Sequence, residues 1–152
     1  MTQTLRFITT CVLFATLFLA LAGWLHFNGF LSESTVRIWS KVILQLDGPP
    51  GFKSSESLYP PLPFFFSMIL HNLVGVNGVP VPTLASGIVA GLLAACIYHR
   101  MTNCGQYRPA TAMLVLVLVL ANPISLYAIT AAPEMTFLFF GLWVLSLSLI
   151  HI

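Results

Sequence analysis

Charge is what this chain has least of. Only 7% of its 152 residues are charged, with four acids and six Lys or Arg. Soluble domains carry about 25% charged residues, so an ordinary hydrated surface cannot be built from this composition. Cysteine is equally sparse. Cys11 and Cys96 sit in apolar runs and Cys104 in a short polar stretch, so neither a disulfide framework nor a zinc site has its ligands at a usable spacing. No internal repeat or low-complexity tract is present. The net charge of +2 is too small to imply nucleic acid as a partner.

What the chain has instead is apolar length. Hydrophobic residues make up 58% of the sequence and the mean hydropathy is +0.94. These values define an all-α, multi-span membrane protein, because lipid leaves only helices and closed barrels able to satisfy the backbone. Phe7 to Leu25 reads as a first span, with residues 1–26 as its segment. It is preceded by Arg6 and carries Trp24 near its end. Ala20-Leu21-Ala22 resembles a signal-peptide cleavage site, but the run reaches spanning length, which favours an uncleaved anchor.

Residues 27–79 differ. They hold Glu33, Arg37, Lys41, Asp47, Lys53 and Glu56, most of the charge in the protein. Val36, Trp39, Val42, Ile43 and Leu46 recur at helical spacing and predict an amphipathic interfacial helix. Ser32 or Ser34 is available to cap it, and Asp47-Gly48-Pro49-Pro50-Gly51 to end it. Asp47 reads as a turn residue. Phe64 to Val76 is short for a span and reads as interfacial, re-entrant or packed on other helices. His71 within it reads as a packing residue and not a metal ligand. Further spans are expected over 80–99, over 109–127 as one helix running past Pro123, and over 135–152. The last run stops without a basic anchor or polar tail. The chain is therefore expected to be the amino-terminal piece of a larger protein, cut within a helix. Residues 147–152 resemble the translated start of a sequencing adapter.

If Phe64 to Val76 does not cross, Arg6, Arg100 and Arg108 fall on one side, as the positive-inside rule prefers. Residues 27–79 and Glu134 then share the other side. Two acids distant in sequence, Glu33 and Glu134, are expected on one face.

With its order of a first span, an acid opening an outer-face helix, Tyr59-Pro60-Pro61-Leu62, two further spans and a second acid, the chain resembles the GT-C membrane glycosyltransferases. Asn122-Pro123-Ile124-Ser125 followed by Pro133-Glu134-Met135 is similar to the GPI-type mannosyltransferase branch. Ser32-Glu33 stands where the family has an Asp-Asp or Asp-Glu pair, a departure under which either Glu33 does the work or this member is divergent or inactive. The resemblance implies sugar transfer from a polyprenyl- or dolichyl-phosphate donor to an acceptor hydroxyl at the outer face. Membrane lipids and the remainder of the chain would be its other partners. Glu33 and Glu134 are then the candidate catalytic acids. Arg37, Lys41 and Lys53 are candidate phosphate partners, and Tyr59, Pro60 and Pro61 shape the substrate site. The cofactor is left open: a divalent metal is compatible with the resemblance, although no residue spacing supplies its ligands. The location would be the plasma membrane of a bacterium or the endoplasmic reticulum of a eukaryote. A small non-enzymatic assembly subunit and a transporter fragment are the alternatives. Residues 1–152 alone are expected to be inactive, since the family closes its site with later helices.

The charge pattern makes a direct prediction about sidedness. Cysteines substituted at Gln106 and at Ser55 should react with an impermeant thiol reagent from opposite sides of a sealed vesicle; labelling of both from one side rules the arrangement out.

Overall fold

A computed structural model of the chain describes residues 3–48, 61–74, 80–103 and 108–150. Among the described residues every regular element is a helix: α1 (Gln3–Phe27), α2 (Glu33–Leu46), α3 (Pro61–Val74), α4 (Val81–Asn103), α5 (Pro109–Leu120), α6 (Pro123–Ala131) and α7 (Pro133–Ile150). Two of these, α1 and α4, are long and apolar enough to cross a membrane.

The frame is an antiparallel pair, α1 against α4. Phe7 meets His99 edge-on at 5.4 Å, and Phe14 meets Tyr98 at 6.5 Å. Ala15 then faces Gly91, and Leu19 faces Gly87. Small residues make this approach. A Cβ on Gly91 would lie 2.6 Å from the Ala15 backbone, and one on Gly87 would lie 2.8 Å from a Leu19 methyl. With Ala95, these glycines form a stripe recurring every four residues, the spacing that lets helix backbones close up in lipid. α4 touches every other helix and buries Ala85, Val89, Ala90 and Ala94. It is the centre of the bundle.

Helix α2 begins where expected. The Ser32 Oγ accepts from the Thr35 amide at 3.1 Å, and Asp47 ends the helix. Its buried face is rotated from the sequence expectation. Thr35, Ile38 and Val42 are buried, Ile38 and Val42 against Phe64 and Met68 of α3, while Val36 is 42% exposed. The reason is that apolar side chains cover much of this helix, and packing on α3 selects one stripe among them. α3 carries prolines at 61 and 63, tolerated in a first turn whose N–H groups have no helical partner. Its 14 residues reach only about 21 Å, short of the roughly 30 Å of a hydrocarbon core.

The expected continuous helix over 109–127 is divided. α5 stops at Leu120 and α6 starts at Pro123, with a bend of 71° between them. Pro123 has no N–H to donate to the α5 ladder and its ring would clash with a carbonyl there. Asn122 then serves as a new N-cap, its Oδ1 accepting from the Ile124 amide at 2.9 Å. Only as a bent pair do these two helices qualify as a third apolar crossing. The far end of α6 is tied off by side chains. Ser86 of α4 lies 2.8 Å from the Ile129 carbonyl and 2.9 Å from Thr136 Oγ1, and Thr136 donates to the Ala128 carbonyl at 2.7 Å. Carbonyls in the last turn of a helix lack helical donors, so α4 and α7 supply them.

The glycine seam can be tested against an internal control. Gly91→Ala should lower stability in detergent by about 1–3 kcal/mol, the usual range for overpacking. Gly141→Ala should not, because a Cβ there meets nothing within 4 Å. Thermal unfolding of the two variants, side by side, makes the comparison.

Candidate functional site

The two ends of the bundle are chemically different. At one end the last turn of α1, the start of α2, the start of α4 and the close of α6 converge on a small notch among Ala22, Leu25, Ser32, Thr35, Thr83 and Thr130. At the other end Phe7 lies on His99, which brings Arg6 and Arg100 to the same end of the α1–α4 pair.

Glu134 stands at the first of these ends, in the opening turn of α7. The Ser34 hydroxyl, in the opening turn of α2, donates to Glu134 Oε2. Two helix N-termini therefore meet at one carboxylate, and the unpaired amides and dipole of each favour negative charge there. The sequence pairs Glu134 with Glu33 on one face, whereas the residue of α2 that touches Glu134 is Ser34, read in the sequence only as a cap. Its signal was a stride of four. Ser34, Ile38 and Val42 lie on one face of α2, so a buried Ile38 turns Ser34 inward.

Glu33 points elsewhere. Its side chain is 87% exposed and pairs with Arg37 Nη2 at 2.9 Å, one turn along the same helix. That geometry is an exposed pair of the kind worth about 0.3–0.5 kcal/mol. Lys41 is half-buried one turn further on. Lys53, Tyr59 and Pro60 lie outside the described residues.

Pro61 is described, and it shares a groove with Glu134. Pro61, Leu62 and Pro63 form one wall. Glu134, Leu138 and Leu142 lead along the other, around a volume of about 450 Å³. The groove is apolar throughout except at its head, where Glu134 sits.

A second polar contact escaped sequence reasoning. His71 is 6% exposed, and its Nε2 lies 3.1 Å from Asp47 Oδ2, joining the end of α2 to α3. Asp47 is thus more than a turn residue. Its partner is 24 positions away, and no local pattern announces it. His71 Nδ1 and the fully buried Ser67 Oγ find no partner. Among the described residues no three His, Cys, Asp or Glu side chains gather as metal ligands. Cys11 and Cys96 are free thiols, half-buried on α1 and α4.

No protein-family model, curated protein or solved structure matches this chain.

The contrast between the two acids sets an expectation for stability. A double-mutant cycle of Ser34→Ala and Glu134→Gln should return a coupling of about 1.5–3 kcal/mol, the range for hydrogen bonds to charged groups. Glu33→Gln should cost under about 0.5 kcal/mol. Equal costs for the two acids would remove the distinction.

Proposed function

We propose that this chain belongs to a multi-span membrane glycosyltransferase of GT-C type, which moves a sugar from a polyprenyl- or dolichyl-phosphate donor onto an acceptor hydroxyl. The observation that carries the reading is Glu134 at the head of an apolar groove, already holding one hydroxyl, that of Ser34. An acid at the mouth of an apolar segment is costly unless paired or used. The groove behind it has the chemistry of an isoprenoid chain.

In this reading the acceptor oxygen attacks the anomeric carbon and forms the new C–O bond. The bond from that carbon to the phosphate oxygen breaks, and the phosphate leaves with the electron pair. The acceptor proton passes to a carboxylate, Glu134 or Glu33. The departing phosphate gains charge that a cation can stabilise. Arg37 and Lys41, along α2, are suited to it as fork and point charge. In this reading α2 and Glu134 take the side away from Arg6, Arg100 and Arg108. That side is the outer face of a bacterial plasma membrane or the lumenal face of the endoplasmic reticulum.

The transporter alternative draws on the broken α5–α6 pair, since transporters hold ions at such breaks. Here α5 and α6 contain no charged residue, and the Asn122 side chain is committed to capping α6. Glu33 and Glu134 instead stand close together in the opening turns of α2 and α7, which favours the enzyme.

Membranes carrying the full-length protein should transfer labelled sugar from a short-chain polyprenyl-phosphate donor. Glu33→Gln and Glu134→Gln should each lower that transfer by about 10²–10⁴-fold, and Asn103→Ala at the far end should preserve it. Absence of donor-dependent transfer overturns the enzyme class. Transfer that survives both acid substitutions overturns the site.

A further inference from the structure

The close of α6 gathers more oxygen than its protons can serve. Ser86 Oγ lies 2.8 Å from the Ile129 carbonyl and 2.9 Å from Thr136 Oγ1, and Thr136 Oγ1 lies 2.7 Å from the Ala128 carbonyl. Each hydroxyl carries one proton and each carbonyl none. Three contacts of hydrogen-bond length are thus served by two protons. One pair of oxygens faces lone pair to lone pair, or draws on a proton already in use. The backbone gives no relief. The residue four positions beyond Ile129 is Pro133, which has no N–H, and Ala132 leaves the helix at φ −133° and ψ 75°. None of the four residues is more than 5% exposed.

A cation satisfies converging oxygens that lack protons. Carbonyls in the last turn of a helix carry its negative dipole end, and carbonyls at such helix ends and unwound segments coordinate sodium in proteins with broken helices. None of the four ligands is a carboxylate, and Glu134, two residues before Thr136, is engaged with Ser34. Divalent ions draw on carboxylates, so a set of neutral oxygens selects a monovalent ion. Their close spacing selects a small one. An approach from the surface exists. Ser32, Thr35, Thr83 and Thr130 line the notch at this end of the bundle. Thr83 precedes Ser86 by one turn, about 4.5 Å of rise, and Thr130 follows Ile129 directly.

We propose that Ser86 Oγ, Thr136 Oγ1 and the carbonyls of Ala128 and Ile129 bind one sodium ion at the junction of α6 and α7. Each hydroxyl then presents a lone pair to the ion and turns its O–H to a carbonyl one turn back in its own helix, as Ser and Thr commonly do. Water from the notch completes the shell. The ion is structural, fastening the first turn of α7 to the close of α6. The site shares no residue with the groove of the transferase reading, and stability, not sugar transfer, reports on it.

Purified full-length protein in detergent, unfolded by heat in sodium, potassium or choline chloride at one ionic strength, tests the site. Sodium should raise the midpoint saturably, by about 5–10 °C at about a hundred times its dissociation constant, and choline should not. Thr136→Val and Ser86→Cys each keep the volume and remove one hard oxygen. Each should weaken sodium binding by at least the roughly 10–100-fold that losing an outer-shell partner costs a metal site. Thr136→Ser, which retains the hydroxyl, should keep the dependence. Thr102→Val, whose hydroxyl bonds the Tyr98 and His99 carbonyls at the far end, should leave it unchanged. Circular dichroism in choline chloride verifies that each variant is folded. Equal midpoints in the three salts overturn the proposal, as does a larger shift in potassium than in sodium. So does a sodium effect that survives both Thr136→Val and Ser86→Cys, since that outcome assigns the ion to another place.

Discussion

The rest of the bundle depends on how closely α1 and α4 approach. Between apolar helices in lipid there is little hydrophobic drive to associate, and contact must come from dispersion over backbones brought near each other. Gly87 and Gly91 permit this, because at either position a methyl group would strike α1. Once α1 covers that side, α4 presents its remaining surface to α2, α3, α5, α6 and α7. Ser86, one residue before Gly87, reaches the close of α6 and the first turns of α7. Glu134 lies two residues before Thr136, which completes that polar knot. The position of the acid thus traces back, through a few hydrogen bonds, to two missing side chains.

The charges are sorted by this frame. Glu33 and Glu134 stand where α2 and α7 begin, next to amides that favour them, and Asp47 closes α2; Arg6 stands near the start of α1 and Arg100 near the end of α4. Glu33 and Glu134 share an end but not an environment. One is a solvated partner of Arg37, and the other is held by a hydroxyl beside an apolar groove.

Much of the helical order was legible in the sequence, because long apolar runs between polar stretches define α1 and α4 without tertiary information. The Ser32 cap and the Glu33–Arg37 neighbourhood follow from local rules in the same way. The rotation of α2 did not, since Val36, Ile38, Trp39, Val42 and Ile43 cover several faces and only packing on α3 chooses among them. The break at Ala121–Asn122 was masked by unbroken apolar composition on both sides of Pro123. In the candidate site, Glu33 and Glu134 stood out in the sequence as two of its four acids. Ser34 and the Asp47–His71 pair did not, because each depends on a partner set by the fold. The α1–α4 glycine stripe was also in plain view, at a spacing that acquires meaning only when Ala15 and Leu19 are seen opposite.

The Ser34–Glu134 contact joins residues 100 positions apart, and it has a consequence for how the protein is made. At a synthesis rate of about 5–20 residues per second, Glu134 leaves the ribosome roughly 5–20 s after Ser34. Throughout that interval the Ser34 hydroxyl on α2 is without its Glu134 partner. Among the described helices α7 is the one that brings the carboxylate, so arrest of translation before residue 134 leaves a nascent chain in which the Ser34 partner has not yet been made.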